Sequence, residues 1–262
     1  MSRILPGLSS AAPGCPPAVR VGRHRLNVTD LAAHRRFWAG LLGGKLSRRG
    51  EADVVSLPGA QLLLRVQDPS GGSSGSTVDH LGFGVPDLRG LVRRLQEEGT
   101  QMVTAQVVGG CGSIHYSTDQ DLHLAFARGP DSMRVELMED RALDGTAGHH
   151  IHIYTEDDAA TQAWYAEQFD GKPGKRGRFR KVDIPGIELS FARSGGPSEP
   201  TKGRVLDHIG FEVDGLEKFC KRLDRNGIHF DRPFTRIEGT GASEAALTDP
   251  WGTGISLTEG LA

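Results

Sequence analysis

The chain has 262 residues, 37% hydrophobic and 24% charged, with a net charge of −2. That length holds one large domain or two ordinary ones with a sizeable core, and the composition is that of a soluble globular protein. The near balance of charge excludes a strong field for nucleic acid or an anionic membrane, and no apolar run approaches the roughly 20 residues of a membrane-spanning helix.

In chain order, residues 1–20 (MSRILPGLSSAAPGCPPAVR) form a Pro-, Gly- and Ser-rich disordered leader. It lacks the apolar core of a secretory signal. It reads as the remnant of a targeting segment, with the cytoplasm as the default location. Cys15, Cys111 and Cys220 are odd in number and far apart, which predicts free thiols rather than disulfides or a cysteine zinc site. A first unit spans 21–68, with a strand, a helix capped at Asp30 and short strands that include SLPGAQLLL. PSGGSSGST at 69–77 is a linker.

The second unit, 79–140, opens with DHLGFGV, and its helix is capped at Asp87 and closed by Gly99. A boundary falls at 140–148. The third unit, 149–194, opens with HHIHIYT and caps its helix at Asp157. Within it, FDGKPGKRGRFRK at 169–181 reads as a solvated basic loop. GGPSEPTKGR at 195–204 is a second linker, and the fourth unit, 205–262, ends in TDPWGTGISLTEGL. Phe37, Trp38, Trp164 and Tyr165 fall on helix faces and predict helix-to-sheet packing.

The units repeat. DHLGFGVPDLRGLVRRLQEEG at 79–99 aligns without a gap on DHIGFEVDGLEKFCKRLDRNG at 207–227, an offset of 128. LNVTDLAAHRRFWAGLLGGK at 26–45 aligns on IYTEDDAATQAWYAEQFDGK at 153–172, an offset of 127, and the match continues from SLPGAQLLL to DIPGIELSF. Each unit follows a β-α-β-β-β grammar, so the predicted fold is α+β, with four such units in two halves of similar sequence.

Units that open DHIGFEV or HHIHIYTED and close DPWGTGISLTEG resemble the vicinal oxygen chelate superfamily of glyoxalases, bleomycin resistance proteins and extradiol dioxygenases. The resemblance covers about residues 22–261. It implies that paired units curl into cups, each a curved mixed sheet with helices outside. On this reading residues 21–140 form an N-terminal cup and 149–262 a C-terminal cup. A metal sits in such a cup, held by the opening and last strands of both units.

Carried over by register, the opening-strand positions are Arg23, His80, His150 and His208. The last-strand positions are Gln61, Glu136, Glu188 and Ser256. His and carboxylate together suit Fe, Mn, Zn or Ni. Arg23 would repel a metal and could pair with Glu136, which leaves the N-terminal cup metal-free or an organic-anion pocket. The expected metal set is therefore His150, Glu188 and His208, with His80 and Glu136 as the alternative, and His152 shuttles a proton. His115 and His123 are further pocket candidates.

The resemblance implies a metal-dependent enzyme of dioxygenase or glyoxalase type. Its substrate would be a small molecule with adjacent oxygens. A metal-free small-molecule binding protein of the bleomycin-resistance type is the alternative. A homodimer is compatible with either.

Overall fold

The computed structural model describes residues 18–50 and 52–261. Most of the expected leader, with Cys15, lies outside the described residues. The first unit contains β1 (Val19–Val21), β2 (Arg23–Val28), α1 (Leu31–Arg35) running into a π-helical stretch (Arg36–Leu41), β3 (Lys45–Arg49), β4 (Ala52–Leu57) and β5 (Ala60–Val66). The second contains β6 (Val78–Val85), α2 (Leu88–Glu97), β7 (Gln101–Met102), α3 (Thr104–Val108), β8 (His115–Ser117), β9 (Leu122–Arg128) and β10 (Arg134–Glu139). The third contains β11 (Ala147–Thr155), α4 (Asp158–Phe169), β12 (Lys172–Arg176), β13 (Phe179–Ile184) and β14 (Ile187–Arg193). The fourth contains β15 (Leu206–Val213), α5 (Leu216–Arg225), β16 (Phe230–Arg236), β17 (Ser243–Thr248) and β18 (Gly254–Glu259).

The helix starts follow local chemistry. Asp30, Asp87 and Asp157 each cap a helix by accepting from backbone N–H groups of its first turn. Gly99 takes φ +78° just past α2, a conformation that costs a glycine least. Phe37, Trp38 and Tyr165 are buried and Trp164 packs against the same core, so the aromatic helix residues do glue helices to sheets.

Two mixed sheets of nine strands result. One runs β12-β13-β14-β11-β6-β10-β9-β7, with β8 on β9. The other runs β16-β17-β18-β15-β2-β5-β4-β3, with β1 on β15. The expectation that neighbouring units share a cup is therefore corrected. Unit two pairs with unit three through antiparallel β6 and β11, and unit one pairs with unit four through antiparallel β2 and β15.

The connectors account for this. Only residues 140–146 separate β10 from β11, and these two strands flank β6. The chain has to reverse and cross one strand, about 10 Å, which so short a connector spans easily. The longer connectors, 67–77 and 194–205, instead cross between sheets. They are not free spacers. They hydrogen-bond to each other through Ser70–Gly203, Gly71–Val205 and Thr77–Glu199, and Ser73, Ser76 and Thr201 within them are buried. Among the described residues, no helix is long and apolar enough to cross a membrane.

Candidate metal centre

The pairing of unit two with unit three decides which side chains meet. On β11, His150 and His152 point to the same face, as alternate strand residues must. His150 stands opposite Gly82 and His152 opposite His80 on β6, while Glu136 on β10 is in register with Gly82 from the other side. One potential ligand atom from each of His80, Glu136, His150 and His152 falls within 4.8 Å of the others. All four residues are buried, and among the described residues this is the one group of His and carboxylates that converges in this way.

Gly82 makes the site sterically feasible. A Cβ there would lie 2.1 Å from Cε1 of His150, so the ring fills the space that a side chain would take. His80 is held from behind. Its Nδ1 lies 2.8 Å from Asp79, which also accepts two bonds from Arg134, and its Nε2 lies 3.0 Å from Glu136. A carboxylate behind an imidazole fixes the ring's orientation and tautomer and raises the basicity of the nitrogen facing the site.

Electrostatics follow from burial and these contacts. Burial opposes ionisation of Glu136, but the adjacent imidazoles of His150 and His80 outweigh it and hold the carboxyl well below the usual range. Burial works against the charge of His80 as well, yet Asp79 and Glu136 raise its pKa. His150 is pushed down to about 4 by burial, against the pull of Glu136. Burial, with His80 and His150 nearby, drives His152 well below the ordinary histidine value.

The donor set fits a divalent metal. Both ring nitrogens of His152 and Nε2 of His150 are buried without a hydrogen-bond partner, which is costly for polar atoms unless something else satisfies them. Nε2 of His150 sits 3.1 Å from Glu136 but off the geometry of a hydrogen bond. Imidazoles with one carboxylate suit Fe, Mn, Zn or Ni.

Beside the group lies a cavity of about 320 Å³, lined among others by His80, Glu136, His152, His115, Tyr154 and Arg178. The basic stretch 169–181, expected as a solvated loop, is for the most part the β12–β13 hairpin, and it brings Arg176, Arg178 and Phe179 to the cavity wall. His123 is not on that wall and faces Glu139 at 3.5 Å.

The expected set of His150, Glu188 and His208 is not assembled. Glu188 does stand beside His150 across the β11–β14 pair. Its carboxylate, however, is taken up by Arg176 at 2.7 Å, Ser190 at 2.7 Å and Lys181 at 3.4 Å, with Arg176 the main influence that brings its pKa down to about 2 despite burial. His208 lies in the other sheet, opposite Arg25. The expected pairing of Arg23 with Glu136 is not formed: the two residues belong to different sheets, and the Glu136 carboxylate lies against His80 and His150.

Sequence reasoning passed over Arg176, Arg178, Asp79 and Gly82. Two of these had a signal in the repeat: DH followed by Gly two positions later occurs at both 79–82 and 207–210. The acid steadies the histidine, and the glycine makes room for the chain opposite.

A paired-unit cup with a buried His and carboxylate cluster defines a class of proteins built on β-α-β-β-β modules. The family model described as Glyoxalase/Bleomycin resistance protein/Dioxygenase superfamily matches residues 20–137 and 148–257, and the chain belongs to that superfamily. Glyoxalase I from Zea mays superposes with a TM-score of 0.70 at 14% identity, covering 93% of this chain and 93% of its own. A Bacillus subtilis protein designated a candidate dioxygenase superposes with a TM-score of 0.65 at 13% identity, covering 93% of this chain and 86% of its own. At these identities the likeness is one of fold. No curated protein matches the sequence directly.

Proposed function

We propose that this protein is a divalent-metal-dependent enzyme acting on a small organic substrate with adjacent oxygens, of dioxygenase or glyoxalase type. The observation that carries the reading is the convergence of His80, Glu136, His150 and His152, three of which, His80, Glu136 and His152, line one cavity. His80, Glu136 and His150 are the residues that would hold the metal. When bound, it would act as a Lewis acid toward two adjacent substrate oxygens.

The chain's own residues supply the rest. Asp79 and Arg134 fix the His80 ring, and Gly82 gives His150 its place. His152 is stacked on Tyr154, with ring centroids 4.8 Å apart, and edge-on to Phe179, and these contacts hold its ring. It is neutral at pH 7 and has a free nitrogen with which to accept a proton from the substrate. Arg178 is positioned to orient an anionic part of the substrate, and Leu124, Phe126 and Phe179 exclude water.

The test is metal analysis of the purified protein and of Glu136→Ala, followed by assays on substrates with adjacent oxygens. Oxygen uptake would be followed with catechols, and solvent-deuterium exchange with α-hydroxycarbonyls. About one equivalent of metal, lost in Glu136→Ala, together with turnover in either assay, is expected. A metal-free protein whose melting point rises with aromatic ligands alone would replace this reading with that of a binding protein. His152→Gln should keep the metal and lose turnover. Loss of the metal in that variant would make His152 a ligand instead.

A further inference from the structure

The second cup, built from units one and four, holds a cavity of about 380 Å³. Strand register maps it position by position onto the first. His208 takes the place of His80, and Ser256, paired with Gly210, takes the place of Glu136, paired with Gly82. Arg23, paired with Gln61, replaces His150, paired with Glu188. Arg25, opposite His208, replaces His152, opposite His80. Two histidines have become arginines and both carboxylates have become neutral, so the chemistry that would attract a cation is inverted.

The wall of this cavity carries Arg25, Arg65, Lys202 and Arg232. Its acids already have partners. Asp207 accepts from Gly203, Asn27 and His208, Asp231 accepts from Thr248, and Glu244 is paired with Arg232. Among the described residues, no hydrogen-bond acceptor or ion-pair partner meets the side chains of Arg65 or Lys202, and Nε of Arg25 is buried without a hydrogen bond. Burial works against the charge on Arg25, Asp207 at 4.0 Å supports it, and the neighbouring charges of Arg65 and Arg232 oppose it more weakly. Like charges that converge on a concave surface with spare donors call for an anion. The volume suits a small organic molecule.

We propose that this cavity binds a small organic oxyanion, with its phosphate or carboxylate group seated among Arg25, Arg65 and Lys202. The second cup is then a ligand site of opposite charge preference to the first, carried on the same scaffold.

The test is calorimetric titration of the intact protein with inorganic phosphate and, separately, with succinate. Saturable binding of at least one anion is expected. It should weaken about tenfold or more in the Arg25→Gln/Arg65→Gln double variant and about threefold in the exposed Lys202→Gln, consistent with loss of charge-assisted hydrogen bonds. Arg178→Gln, in the other cup, reports any separate anion binding there, and the event that depends on Arg25, Arg65 and Lys202 should persist in it. Circular dichroism establishes that each variant is folded, and Lys202→Gln carries the test if the double variant is not. No saturable binding of either anion, or binding that depends on Arg178 and not on Arg25, Arg65 or Lys202, would overturn the proposal. Metal content does not enter this measurement, so its failure is separable from that of the metal-centre reading.

Discussion

The two cups are built from the same unit, in the same strand order and with the same pairings, yet their floors differ at three of four equivalent positions, and only His80 and His208 agree. In one, a buried carboxylate, Glu136, gathers the rings of His80 and His150. In the other, Ser256 stands at that register and Arg23 and Arg25 replace the histidines of β11. Backbone register is thus conserved between the cups while charge is reversed. The fold supplies the same inward-facing positions in both cups, and the residues at those positions and on the cavity wall set the local charge of each.

The sharpest way to break this comparison is to exchange floor residues. Glu136→Ala should reduce metal affinity by more than the roughly 10–100-fold that loss of a supporting partner brings, whereas Ser256→Ala should leave metal content unchanged. Equilibrium dialysis with the metal measures both. If Ser256→Ala also stripped the metal, the cups would not be functionally separate.

The paired glycines give the next largest effect. In Gly210→Ala the new Cβ would lie 2.0 Å from the backbone carbonyl oxygen of Arg23, which cannot swing away, and about 3 kcal/mol of stability should be lost. In Gly82→Ala the clash is with the His150 ring, which can rotate, so the loss should be nearer 1 kcal/mol, with the metal released. Urea unfolding and metal analysis distinguish the two.

Arg176→Gln should free Glu188. Removing the cation from a mostly buried pair costs about 3 kcal/mol, and the Glu188 carboxyl should titrate upward from about 2 toward the usual range, as followed by carbon NMR. A Glu188 that still titrated near 2 would show that Ser190 and Lys181 suffice to hold it.

An effect confined to acidic pH comes from His24, in the second cup's sheet. It is buried, accepts from Gly210 through Nδ1, and is pushed down to about 4 by burial and then by His208. Because its folded pKa lies below the unfolded one, the unfolded chain takes up the proton first. Stability from this group is complete above about pH 6.5 and falls as the pH drops toward 4, by up to about 3 kcal/mol. Urea midpoints should decline over that window, and the slope should flatten in His24→Asn. An unchanged slope would assign the whole decline to the buried histidines of the first cup.

Much of this architecture was legible in the chain. The offset repeats announced four units, the capping aspartates placed the helix starts, and the carried-over register put Arg23, His80, His150 and His208 on opening strands. Glu136 and Ser256 were read as equivalent last-strand positions, and their pairing with Gly82 and Gly210 makes them so. Arg23 was recognised as unsuited to a metal, and Ser256 stood at a last-strand position without a carboxylate. Treated as defects of two different cups, they pointed to Glu188 as a substitute ligand; in one cup together, they leave the other cup's set whole.

The sequence by itself determined the units, their internal register and the residue at each inward-facing position, because these depend on local periodicity and short-range turns. It did not determine which units share a sheet. The opening strands of all four units are similar in pattern, so any two could pair edge to edge by the same backbone hydrogen bonds. That choice rests on long-range geometry: a seven-residue connector that folds β11 back onto β6, and two longer connectors that bind each other and carry the chain between sheets. Tertiary structure therefore decided that His80 and Glu136 meet His150, and that His208 is left among arginines.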